Sequence, residues 1–124
     1  MSERILSHLV VLAKGSGQEE TGVLIGKSCG VQIVFPNENL SHSPTEFLAN
    51  PLDVVAGHNL AEALGLEVEA LYHTHPFGAP KPSKKDLEGM ALWPIPWLIA
   101  SPIGVRAWAL SSGSLSEVPL VVVA

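Results

Sequence analysis

Apolar residues along the chain recur either at helical spacing or in short blocks bounded by glycine and proline. Ile5, Leu9 and Leu12 share one face of a helix that Ser2 can cap and that runs to about Ala13, where Gly15-Ser16-Gly17 ends it. Gly22–Lys27 reads as a buried strand and Gly30–Pro36 as its hairpin partner, with Ser28-Cys29 near the turn. Residues 37–50 are polar and contain proline, which predicts a loop with a short extended piece near Phe47.

Asn50-Pro51-Leu52-Asp53 is a helix start: a capping amide, proline in the first turn, and an acid where the helix dipole favours one. Val54, Val55, His58, Leu60, Ala61 and Leu64 are the expected apolar side, and Gly65 the left-handed cap. Glu67–His73 alternates, placing Val68, Ala70 and Tyr72 opposite Glu67, Glu69 and Leu71, as a strand does. After a Pro/Gly loop over 76–82, Ser83 opens a short helix with Asp86 as its capping partner. Pro96–Ser101, Gly104–Leu110 and Glu117–Val123 are further strand candidates. The predicted order is α-β-β-α-β-α-β-β-β, an α/β or α+β sandwich around a mixed sheet, in one domain over residues 1–124.

Composition narrows the function classes. Hydrophobic residues make up 47% and charged residues 15% of the chain, a balance that argues for a well-buried fold. The net charge of −5 argues against general electrostatic binding to nucleic acid. One cysteine, Cys29, can form no internal disulfide and no cysteine-rich zinc cluster, and it suits a reducing compartment. The 5–13 run is short and interrupted by His8, and the apolar tail 119–124 is too short to cross a bilayer. The expectation is a cytoplasmic protein with no membrane association.

The chemistry concentrates in His73-Thr74-His75-Pro76-Phe77-Gly78-Ala79-Pro80-Lys81-Pro82-Ser83-Lys84-Lys85-Asp86. Side chains two apart on an extended chain face the same way, so the imidazoles of His73 and His75 can converge on one point. Asp86, in the first turn of the next helix, can fold back toward them. Two imidazoles and a carboxylate suit zinc and leave a fourth tetrahedral position open for water, the catalytic arrangement. Zinc brings the pKa of such a water to roughly 7 and polarises a carbonyl. A proton acceptor that is not itself a ligand must then come from elsewhere in the chain. Taken alone, the His-x-His pair is a weak signal. Asp86 and Ser83 read equally as helix-capping residues, and the intervening glycine and prolines as turn formers.

With Glu19-Glu20-Thr21-Gly22-Val23-Leu24-Ile25-Gly26 upstream, the pattern resembles that of the JAMM (MPN+, JAB-domain) zinc metalloproteases: Glu-x-x-Gly, then His-x-His-Pro, six residues, Ser, two residues, Asp. The flanking elements come in that family's order. The resemblance implies a single MPN/JAB-type domain, a mixed sheet between about three helices, layered as in cytidine deaminases. It implies His73, His75 and Asp86 as ligands of one zinc ion per chain. It implies Glu19 as the acid that moves the proton of the zinc-bound water, and Ser83 as a stabiliser of the oxyanion. Glu20 competes for the acid role. Neighbours on an extended chain face opposite ways, so at most one of the two addresses the metal, and the Glu-x-x-Gly spacing selects Glu19.

The implied reaction is hydrolysis of a peptide or isopeptide bond, with no covalent intermediate and no role for Cys29. The chain is close to the bare core of the family and resembles its small prokaryotic members. The implied substrate is a bond after the C-terminal Gly-Gly of a ubiquitin-like or sulfur-carrier protein. A non-catalytic MPN-type scaffold and a metal-dependent phosphoesterase stay open as alternatives, as does a homodimer. His8, His42 and His58 read as structural or surface residues, and Trp93, Trp97 and Trp108 as core or sheet-covering residues. Lys81, Lys84 and Lys85 form a small basic group beside the proposed site that could draw an acidic partner.

Overall fold

The elements fall in the predicted order. In the computed structural model, which describes residues 1–15, 17–28, 30–40 and 50–122, they are α1 (Glu3–Gly15), β1 (Thr21–Lys27), β2 (Gly30–Asn37), α2 (Pro51–Ala63), β3 (Glu67–Thr74), α3 (Lys84–Leu92), β4 (Trp97–Ser101), β5 (Gly104–Ser111) and β6 (Ser114–Val118). Cys29, His42 and the extended piece expected near Phe47 lie outside the described residues. The strands form a 6-stranded sheet in the order β2-β1-β3-β4-β5-β6. β3 and β4 are parallel and every other neighbouring pair is antiparallel, so the sheet is mixed. Among the described residues, no helix is long and apolar enough to cross a membrane.

Both faces of the sheet are covered, which is why β1 and β4 read as apolar blocks rather than as alternating strands. On one face, Leu9 and Ala13 of α1 pack with Leu24, Ala70, Tyr72, Leu98, Ala100 and Ala107. On the other, Ala61 of α2 meets Val23 and Ile25, and Met90 of α3 meets Trp97, Ile99 and Trp108. Leu9 is fully buried, so truncating it to alanine costs about 2–5 kcal/mol.

The helix ends are built as the sequence indicates. The Ser2 hydroxyl accepts from the Ile5 amide at 3.2 Å. Asn50 caps α2 by accepting from the Leu52 amide at 3.0 Å. The Leu66 and Gly65 amides donate back to the Ala61 and Glu62 carbonyls at 2.8 and 3.1 Å, with Gly65 at φ +69, which closes the helix as a Schellman motif.

The face of α2 differs from the expected one. Gly57 and Ala61 are its buried residues, whereas Val55, His58 and Leu64 are exposed. The helix seats at its glycine: a Cβ at Gly57 would stand 2.9 Å from Val23 Cγ2 and 3.2 Å from Phe35 Cδ1. Close approach, not side-chain size, picks the contact face here.

The expected alternation of β3 breaks at Glu69. Leu24 pairs with Ala70 but Ile25 pairs with Val68, so Glu69 is an extra residue in the ladder. The bulge turns Val68 away from Ala70 and Tyr72 and into the α2 side with Ile25 and Leu71. The last strand is also shifted, to Ser114–Val118. Ser112 and Gly113, at φ 50 and 78, make a two-residue turn of the mirror-image type, so pairing resumes at once between Ser111 and Ser114. Pro119, with no N–H to donate, follows the last strand residue.

Candidate metal centre

The centre lies where β1 begins and β3 ends. Across the sheet, Thr21 pairs with His73, and His73 pairs with Ile99 of β4. His73 is fully buried, its ring edge-on to Trp97 at 5.6 Å. One residue past β3, the His75 amide donates to the Ala100 carbonyl at 2.7 Å, which keeps the chain extended long enough for His75 to face the same way as His73. Pro76 then ends the pairing.

α3 brings the third group. Ser83 is its N-cap: the hydroxyl accepts from the Asp86 amide at 3.1 Å, and Asp86 Oδ2 accepts from the Ser83 amide at 2.8 Å. The same Oδ2 stands 3.1 Å from His73 Nε2 and 3.0 Å from His75 Nε2, and the two Nε2 atoms are 3.0 Å apart. Three donor atoms in so small a triangle match donors that share one ion at about 2.0–2.1 Å each.

The tautomer of His75 supports the same conclusion. Its Nδ1 lies 2.9 Å from the Ala79 carbonyl oxygen, which can only accept. Nδ1 therefore carries the proton, and a neutral ring offers a lone pair from Nε2, as a metal ligand must. Two such lone pairs at 3.0 Å repel unless a proton or a cation lies between them.

In the metal-free protein a proton can fill that role, and the site favours it on His75 over His73. Burial lowers the pKa of His73 and outweighs the pull of Asp86, so this ring stays neutral. Burial also acts to lower His75, but there the hydrogen bonds to Asp86 and Ala79 and the charges of Asp86 and Glu19 prevail, and the pKa rises. Burial would raise Asp86, yet its bonds to the imidazoles and to the Ser83 amide hold it far below the carboxylate range.

Glu19 joins this cluster and Glu20 does not. Glu19, His73, His75 and Asp86 each offer an atom within 4.8 Å of the others. Glu19 is 3% exposed and sits two residues before Thr21, on the face that carries His73. Glu20 is on the opposite face, where its charge adds to burial in raising the pKa of Tyr72. The segment is clamped to β3 by the Thr74 amide donating to the Glu20 carbonyl at 2.9 Å and the Glu20 amide donating to Thr74 Oγ1 at 2.8 Å. Gly22 pairs with Tyr72, whose ring lies where a Cβ would stand, so the glycine of Glu-x-x-Gly is a packing requirement.

The carbonyl of Glu19 accepts from Asn39 Nδ2 at 2.7 Å. Asn39 is the residue that sequence reasoning missed. It lies in a stretch read as loop, and nothing in its local pattern marks it, because its partner is a backbone atom 20 residues away. Ser83, Lys81, Lys84 and Lys85 are exposed on the rim of the centre. His8 and His58 are exposed on their helices, away from the cluster, and Trp93 is 43% exposed at the end of α3 rather than covered.

Comparison with known proteins finds relatives over nearly the whole chain. A family model described as prokaryotic homologs of the JAB domain matches residues 2–111. The chain is 38% identical over 122 residues to a desampylase of Pyrococcus furiosus, covering 97% of this chain and 87% of that one. It is 38% identical over 112 residues to a probable TtuB-protein conjugate cleaving protease of Thermus thermophilus, covering 90% and 73%. A solution structure from Desulfitobacterium hafniense superposes with a TM-score of 0.84 at 21% identity, over 98% of this chain and 92% of that one. A JAB1/MPN domain protein from Archaeoglobus fulgidus superposes with a TM-score of 0.66 at 20% identity, over 99% and 97%. These two show a shared fold.

Proposed function

The chain belongs to the family of prokaryotic homologues of the JAB domain, and on that premise we propose that it is a zinc-dependent peptidase or isopeptidase, with residues 1–124 as one JAMM-type domain. His73, His75 and Asp86 hold one zinc ion. The bond cut follows the C-terminal Gly-Gly of a ubiquitin-like or sulfur-carrier protein. The observation that carries the activity is the buried carboxylate of Glu19 beside the three ligand atoms, all within 4.8 Å.

Bound there, zinc supplies Lewis acidity toward a carbonyl and makes water more acidic. The protein's own groups do the rest. Glu19 takes the proton of the attacking water and delivers it to the leaving amine, and no other acid among the described residues joins the cluster as a competitor. The Ser83 hydroxyl accepts the Asp86 amide as a cap, which leaves its own proton to donate to the oxyanion. Burial of Glu19 and His73 keeps bulk water from competing for that proton.

The names of the relatives support the substrate class, one of them being a probable TtuB-protein conjugate cleaving protease. A scaffold role does not call for a buried acid beside a ligand triangle. A phosphoesterase of the multi-metal kind needs a second cluster, and one such group is found among the described residues. The test is to incubate the zinc-loaded protein with a sulfur-carrier protein extended past its Gly-Gly end. The account expects release of the extension by the native chain and not by Glu19→Gln. Equal release by both would refute the mechanism, and release by neither would refute the substrate class.

A further inference from the structure

Building on the reading of His75 as a metal ligand, we propose that Trp108, on a strand that supplies no ligand, is a positioning residue for His75. It acts through the peptide carbonyls of the loop between β3 and α3.

His75 lies past the end of its strand, and the group that orders its ring is not in the sheet. Its Nδ1 proton goes to the Ala79 carbonyl at 2.9 Å. Pro76 and Pro80 are buried but Phe77, Gly78 and Ala79 between them are exposed, so packing alone does not set the direction of that carbonyl. Hydrogen bonds do it instead. The Lys81 amide donates to the same Ala79 oxygen at 2.8 Å, a tight turn centred on Pro80. The next carbonyl, that of Pro80, accepts from the indole Nε1 of Trp108 at 2.9 Å, a buried bond spanning 28 residues.

Trp108 itself cannot swing. It lies in β5 opposite Trp97, within the cluster that Met90 of α3 covers. A single rigid donor in the sheet therefore fixes the Pro80 carbonyl. The turn passes that constraint to the Ala79 carbonyl one residue earlier, and the Ala79 carbonyl decides which nitrogen of His75 keeps its proton. Outer partners of this kind fix tautomer and ring orientation, and losing one typically weakens metal binding 10–100-fold. Proline at position 80 adds to the design. Its ring fixes φ at about −65°, close to the value that the centre of such a turn requires.

The test compares Trp108→Phe with the native chain. A benzothienylalanine at position 108 serves as a second variant that keeps the indole shape and replaces the N–H with sulfur. The first readout is the tautomer of His75 by imidazole nitrogen NMR in the metal-free protein, above the pKa of that ring. The native chain should hold the Nδ1–H form, and both variants should show a mixture. The second readout is zinc affinity by competition with a chelator, which should fall in both, at most by the roughly 10–100-fold typical of losing the ligand's own partner. Leu110→Ala loosens the same cluster without touching the indole bond, and should lower stability while leaving tautomer and affinity as they are.

An unchanged tautomer in both variants would overturn the inference, and so would an equal loss of affinity in Leu110→Ala. A native chain that binds no zinc would defeat the metal reading, and the strut would still stand or fall on the change of tautomer between the native chain and the two variants.

Discussion

Ser83 and Asp86 share one oxygen between two tasks: Asp86 Oδ2 accepts the Ser83 amide at 2.8 Å and is the same atom that stands 3.0 Å from His75 Nε2. The capping and ligand readings of Asp86 are therefore not rivals. Closing the cap aims the carboxylate at the imidazoles. The two tasks separate chemically, because an amide oxygen can still close the cap but carries no charge. Asp86→Asn should keep the α3 helix but lower the melting temperature of the metal-free chain, because the imidazoles lose the carboxylate that draws the His75 proton. Its zinc affinity should fall at least about 100-fold, since the ligand set loses its only anion. Calorimetry on the apo-protein and a zinc titration check the two halves.

Glu19 and Glu20 offer a test that composition cannot confound. Exchanging either for glutamine removes one negative charge from adjacent positions of the same segment. Glu19→Gln should lower kcat by roughly 10²–10⁴ while still binding one zinc, since its group moves a proton and is not a ligand. Glu20→Gln should stay within a factor of about two, because that side chain lies on the Tyr72 face of the sheet and not on the metal face. Steady-state kinetics alongside metal analysis distinguishes them. A larger loss for Glu20→Gln would reverse the assignment.

Ser83 should show two separable defects. Ser83→Ala removes a helix cap, at a cost of about 1 kcal/mol in the unfolding free energy. It also removes the proton offered to the oxyanion, which should lower kcat by roughly 10²–10³. Ser83→Asp can still accept the Asp86 amide but has no proton to donate, so it should recover the stability and not the rate. Denaturant unfolding and turnover, measured on both variants, read the two effects apart.

The proton held by His75 gives zinc binding a defined pH dependence. Its folded pKa lies above the usual value of about 6.5. In the metal-free chain the stabilisation from that protonated ring is complete below the unfolded value. It is lost as pH rises through the folded one. Asp86, held far below the carboxylate range, stays ionised throughout that window and adds no slope. Zinc must displace the His75 proton, so its affinity should fall about tenfold per pH unit below the folded pKa, with one proton released per ion bound. Calorimetry in buffers of different ionisation enthalpy counts that proton. No release below pH 6.5 would contradict the assignment of His75 as a ligand.

What could be read in the sequence was whatever local chemistry decides. The Asn50-Pro51 start of α2, the Ser83/Asp86 cap and the Gly65 stop depend on residues within a turn of each other, and all three have the expected form. The gathering of His73, His75, Asp86 and Glu19 could be read because its spacing carries a familiar pattern. What could not be read depends on partners far along the chain. The bulge at Glu69 is a matter of register against β1, and a period of two continues through it without a mark. Hydrophobicity alone misjudges the buried face of α2, which Gly57, the residue with no side chain, sets. Asn39 and Trp108 act on backbone carbonyls, which look the same at every position in a sequence.

X-ray absorption at the zinc edge of the loaded protein reads the atoms around the proposed ion. The proposed site should show one zinc per chain bound by nitrogen and oxygen only, at about 2.0–2.1 Å, with the outer scattering of two imidazoles. The signal of one imidazole should vanish in His75→Ala. A sulfur shell near 2.3 Å, or an imidazole count that is the same in the native chain and in His75→Ala, would contradict the proposed site.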